Sequence, residues 1–141
     1  MEQVIEFVGN HIILAGIWAT LIVVLIYSMV SAQLSPVKEL SPQEATLLIN
    51  KQDALLLDIR PAAEFNKGHI LNSRQLKAEQ ITKADFSSLE KSKDKPIIVV
   101  CAMGMTAKRT AVQMIKAGFS QVSVLKGGMN AWTGASLPVS K

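Results

Sequence analysis

Residues 96–107, Pro96-Ile97-Ile98-Val99-Val100-Cys101-Ala102-Met103-Gly104-Met105-Thr106-Ala107, decide how the chain is read. Four consecutive Ile and Val residues after a proline read as a buried strand. Met105, Val112, Ile115 and Phe119, with Ala107, Ala111 and Ala117, read as a helix that Gly118 stops. Cys101 then falls at the carboxyl end of a strand and faces a helix start across a glycine-bearing turn. Ligands of open α/β sheets bind at this edge. A helix start also offers unpaired N–H groups and a positive dipole end, which together hold an anion. Cys101 is thus a candidate nucleophile. The plainer alternative is a small buried residue closing a core strand.

Working outward, the same alternation recurs. Ser41-Pro42-Gln43-Glu44 is a capping box with proline at the first helical position, and Ala45, Leu47, Leu48 and Ile49 supply an apolar helix face. Residues 54–59 read as a second short strand, Pro61 to Phe65 as a helical turn ending at Gly68, and Asp85 to Lys91 as another helix. Val122 to Leu125 forms a last strand, and Gly127-Gly128 opens a terminal turn and helix around Trp132. Short strands alternating with helices specify an α/β fold: a small parallel β-sheet flanked by helices on both faces. About 105 residues suffice for one such core.

The remainder of the 141 residues is of a different kind. From Phe7 to Val37 there is no Asp, Glu, Lys or Arg, and Ile12 to Val30 is almost unbroken apolar sequence. At about 1.5 Å per residue such a helix covers roughly 28 Å, close to a hydrocarbon core of about 30 Å. Val30-Ser31-Ala32 resembles a signal-peptidase site. However, the flank before it carries Glu2 and Glu6 and no basic residue, and the apolar run is longer than a signal peptide needs. A retained transmembrane helix, about 12–30, is expected within an N-terminal segment 1–34, and residues 31–37 read as a short linker into a domain spanning 35–141. Lys38, Lys51 and Arg60 all follow the span. The positive-inside tendency therefore predicts a single-pass protein of the inner (plasma) membrane, N-terminus out and domain in the cytoplasm. The single cysteine forms no internal disulfide, which fits a reducing compartment.

All 15 basic residues follow the span against nine acidic ones, so the domain carries 15 − 9 = +6. Such a charge suits anionic headgroups. Few aromatics and no binding motif argue against nucleic acid. One cysteine and two distant histidines, His11 and His69, make no metal-ligand set. Lys126-Gly127-Gly128 lacks the phosphate-loop pattern, so no cofactor is expected.

Four features stand in order: Asp58-Ile59-Arg60 at a strand end, Glu64-Phe65 followed by Gly68-His69-Ile70, Cys101 in its turn, and Lys126-Gly127-Gly128 followed by Trp132. In this order and spacing the chain resembles a single-domain rhodanese, a sulfurtransferase module, from about Val37 to Pro138. The resemblance implies a persulfide on Cys101, formed from a small anionic sulfur donor such as thiosulfate. A thiol, a protein or cyanide then accepts the sulfur. It implies substrate binding by the loop Ala102, Met103, Gly104, Met105, Thr106 and Ala107, with Arg60 as a further anion-binding candidate. Asp58 and Arg60 are expected to form a structural ion pair, His69 to be a turn or core residue, and Trp132 to be a core anchor. Many family members carry Arg and then Ser at the positions of Thr106 and Ala107, so the fixed guanidinium is missing here. A phosphatase loop of Cys, five residues and Arg would need Arg at Ala107, and Arg109 comes two residues late. The changed loop and the anchor leave an alternative: a non-catalytic adaptor of rhodanese fold that docks on a membrane-protein partner.

Overall fold

The computed structural model describes residues 1–33 and 37–141. The chain divides into two compact units, Met1–Ser35 and Pro36–Lys141. Residues 34–36 of the expected linker lie outside the described residues.

The N-terminal unit holds α1 (Glu2–Asn10) and α2 (Ile12–Gln33), with a break at His11, whose φ of −133° and ψ of 56° leave the helical region. α2 contains a 20-residue stretch, Ile12–Ser31, of mean hydropathy 2.4, long and apolar enough to cross a membrane. The sequence reading did not include α1. Its Val4, Ile5, Phe7 and Val8 recur at helical spacing opposite Glu2 and Glu6.

In the C-terminal unit the elements run β1 (Lys38–Leu40), α3 (Pro42–Gln52), β2 (Leu55–Asp58), α4 (Ala62–Lys67), β3 (Arg74–Gln75), α5 (Ala78–Thr82), a 3₁₀ helix (Ser87–Ser92), β4 (Ile97–Val100), α6 (Met105–Lys116), β5 (Val122–Leu125) and α7 (Gly128–Gly134). The five strands form one parallel sheet in the order β1-β5-β4-β2-β3. β4 is central, pairing Ile97 with Leu55 on one side and with Val122 on the other. All four of its side chains are buried, as the unbroken apolar run requires of a strand covered on both faces.

Alternation along β4 divides the core. Ile97 and Val99 pack with Ala107, Ala111 and Met114 of α6 and with Phe86, Leu89 and Phe119. Ile98 and Val100 pack with Ala45 of α3 and with Met129 and Trp132 of α7. The expected capping box is present: Glu44 N–H donates to Ser41 Oγ at 3.2 Å, and Ser41 N–H donates to Glu44 Oε2 at 2.8 Å. Hydrogen bonding from Ser41, its backbone N–H first and its side chain second, holds the Glu44 carboxyl below the usual carboxylate range.

Four elements of this unit depart from the sequence reading. β1 and β3 are edge strands of three and two residues, too short to show a period. α5 was not foreseen, and the helix expected over 85–91 is a 3₁₀ helix displaced to Ser87–Ser92.

Candidate active site

Cys101 follows β4 directly. By alternation it continues the Ile97, Val99 row and lies under α6, in the same cluster as Ala107 and Ala111. It is a free cysteine, 6% exposed. Beyond it, Ala102 and Met103 lead to Gly104, whose φ of 92° is left-handed and whose N–H donates to Cys101 Sγ at 2.9 Å. α6 then begins, and the N–H groups of Met105, Thr106 and Ala107 occupy its first turn, where no intrahelical acceptor exists. The turn therefore directs the Gly104 N–H at the sulfur and places Cys101 just before the positive end of a twelve-residue helix.

A second turn holds the first. After β5 the backbone passes through Gly127 and Gly128, both at positive φ, into α7. Met129 N–H donates to the Cys101 carbonyl at 2.8 Å and Asn130 N–H to that of Ala102 at 3.2 Å. A Cβ on Gly128 would lie 2.2 Å from Cys101 O, so only glycine admits this approach. The opening turn of α7 thus fixes the carbonyl side of the cysteine loop. Sequence reasoning placed the two glycines in the series but did not count them among the site residues. Adjacent glycines directly after a strand are the signal that marks them.

Beside the loop is a cleft of about 210 Å³ lined by Glu39, Met103, Gly104, Met105, Lys108, Val124, Lys126 and Gly127. Glu39 pairs with Lys108. Met103 and Met105 are exposed, as are Thr106 and Arg109, while Ala107 is buried against the core. A larger cavity of about 700 Å³ lies at the other end of the sheet, between α3 and the starts of β4 and β5, and contains no residue of the loop.

Arg60 is engaged elsewhere. Its Nε donates to Asp58 Oδ1 and Oδ2 at 3.0 and 3.1 Å, and its Nη2 to Asp58 Oδ2 at 2.7 Å and to Gly68 O at 2.8 Å. Asp58 is 1% exposed and the Arg60 side chain 9%. Among the described residues, every hydrogen bond of the guanidinium runs to Asp58 or Gly68 and none to the cysteine loop. His69 is a turn residue: Nδ1 meets Phe65 O at 2.9 Å, the two rings stack at 3.9 Å, and its backbone pairs with Ser140. Trp132 is buried and donates from Nε1 to Pro138 O at 3.0 Å.

The family model of the rhodanese-like domain matches residues 41–135, which takes in the strand, the cysteine turn and the double glycine together. The chain belongs to the rhodanese family. Protein YibN of Escherichia coli strain K12, described as uncharacterized, is 42% identical over 139 residues, 99% of this chain and 97% of the relative. That match therefore extends through the N-terminal apolar segment. The thiosulfate sulfurtransferase GlpE of Pseudoalteromonas translucida is 36% identical over 98 residues, 70% of this chain and 90% of GlpE. Among solved structures, a rhodanese-related protein of Thermoplasma volcanium superposes with a TM-score of 0.64 at 24% identity, covering 73% of this chain and 97% of that one. A rhodanese-like domain from Anabaena gives 0.55 at 32% identity, over 62% and 98%. The rhodanese fold is thus shared by the whole C-terminal sheet.

Proposed function

We propose that the protein is a sulfurtransferase held in the plasma (inner) membrane by α2, with its rhodanese-like domain on the cytoplasmic side. The observation that carries this reading is the Gly104 N–H directed at Cys101 Sγ at 2.9 Å, at the head of α6. A thiolate there attacks the outer sulfur of thiosulfate. The S–S bond to the sulfonate breaks, sulfite leaves with the bonding pair, and the transferred sulfur remains as a persulfide on Cys101. The same amides that support the thiolate would receive the negative charge of the persulfide. With no second cysteine in the chain, the sulfur must pass to an external thiol or to cyanide.

The similarity to proteins named thiosulfate sulfurtransferase supports the reaction class. The absence of Lys and Arg before α2, with Lys38 and Lys51 after it, supports the orientation. A second reading rests on Thr106 and Ala107, which place no cation at these two positions of the loop: a docking domain without turnover, bound to a membrane protein. Sulfite release from thiosulfate separates the two. The full-length protein in detergent should release sulfite in proportion to its Cys101, and the Cys101→Ser variant none. Equal, background-level release from both would overturn the enzymatic reading.

A further inference from the structure

We infer that Met103 and Met105 form the contact pad that selects the sulfur acceptor, and that the acceptor is a protein cysteine set among apolar residues with acidic residues on its flank. The inference rests on the sulfurtransferase reading and names its acceptor class. Among the described residues of the C-terminal unit, these are the two most exposed large apolar side chains, Met103 at 67% and Met105 at 81%. They bracket Gly104, whose N–H holds the sulfur, so an approaching thiol meets them first. An inorganic anion gains nothing from two thioethers, because it loses hydration and finds no donor there. An apolar surface gains by burying them, and the unbranched methionine side chain adapts to partners of varied shape.

The charge around the pad gives the flank. Arg109 lies one helical turn beyond Met105 on the same face, and Lys126 lines the cleft beside it. Neither is in an ion pair among the described residues, whereas the one carboxylate of the cleft, Glu39, is already matched by Lys108. The rim is therefore apolar at the centre and cationic at the edge, complementary to an acid-flanked apolar segment. In the transfer, the acceptor thiol passes its proton to the anionic Cys101 persulfide and, as thiolate, attacks the terminal sulfur. The bond between that sulfur and Sγ breaks, Cys101 leaves as thiolate, and the proton stays on the new acceptor persulfide. No oxidant or reductant is consumed.

The test uses full-length protein in lipid nanodiscs and two peptides of equal length and charge. In one the cysteine stands among Leu and Phe with Asp and Glu outside; in the other it stands among Ser and Gln. Serine-substituted, fluorescent copies report binding by anisotropy, corrected with empty nanodiscs. The cysteine forms report transfer, followed only on protein whose persulfide has been confirmed by mass. The apolar peptide should be preferred roughly tenfold or more in binding and in kcat/KM, as burial of part of two methionine side chains implies. M103Q/M105Q should bring that ratio close to one, and M103L/M105L should keep it. Equal binding of both peptides, or a preference unchanged in M103Q/M105Q, overturns the inference even if Cys101 loads normally. Failure of Cys101 to load would instead overturn the sulfurtransferase reading, and the anisotropy still decides the pad.

Discussion

Replacing Gly128 by alanine tests the claim that the opening turn of α7 fixes the cysteine loop. The added Cβ would stand 2.2 Å from Cys101 O and 2.7 Å from the carbonyl carbon and oxygen of Ala102, against 3.4 Å or more for an ordinary contact. The two turns must separate by about 1 Å, which stretches the Met129 and Asn130 hydrogen bonds, now 2.8 and 3.2 Å, to or beyond useful length. Two such bonds are worth about 1 kcal/mol each. Holding alanine at φ 58° costs about 1–2 kcal/mol more. The smaller conformational freedom of alanine in the unfolded chain returns less than about 1 kcal/mol. A net loss of about 3 kcal/mol is expected in urea unfolding of the full-length protein in micelles, followed by circular dichroism. Because the displaced atom is the carbonyl of Cys101 itself, alkylation of that thiol by iodoacetamide should also change by several-fold. Gly134→Ala, where a Cβ meets nothing within 4 Å, is the control and should alter neither quantity appreciably. A loss below about 1 kcal/mol for G128A with unchanged alkylation would refute the clamp.

Other outcomes follow from the same geometry. Asp58→Ala leaves the largely buried Arg60 guanidinium, among the described residues, with only the Gly68 carbonyl and should cost about 3–5 kcal/mol of stability in the same urea assay; a loss under about 1 kcal/mol would contradict the structural role given to this pair. Glu44 titrates below its ordinary value of 4.5 in the folded chain, so its stabilising contribution is complete above that pH and is lost as the pH falls through the lower, folded-state value. Glu44→Gln should therefore unfold at a lower temperature than the native protein at pH 7, and the gap should close in acid; a gap independent of pH would show that the charge plays no part. Ser41→Ala, which removes the other half of the box, should cost about 1 kcal/mol, read from the urea midpoint.

Much of this site was legible before any coordinates. The strand over 97–100 and the helix from Met105 are long and regular enough for their periods to be read, and a capping box is a purely local signal. What escaped the sequence is non-local. β1 and β3 are strands only because β5 and β2 offer them partners, as Lys38 does with Ser123 and Asp58 with Gln75. The Asp58–Arg60 ion pair was expected, but not the Gly68 carbonyl that also holds the guanidinium, eight residues away, which no spacing rule reveals. The clamp of Gly128 on Cys101 joins positions 27 residues apart in sequence. α1 is nine residues long, so its apolar period spans little more than two turns and merges into the apolar run that follows.

The most direct test of the central claim, sulfur carried covalently on Cys101, is intact-mass analysis of the full-length protein after incubation with thiosulfate, beside Cys101→Ser. The account predicts a gain of roughly 32 Da, one sulfur atom, located by peptide mapping on Cys101 and absent from the serine variant. A folded protein whose Cys101 is alkylated readily yet gains no sulfur would contradict it.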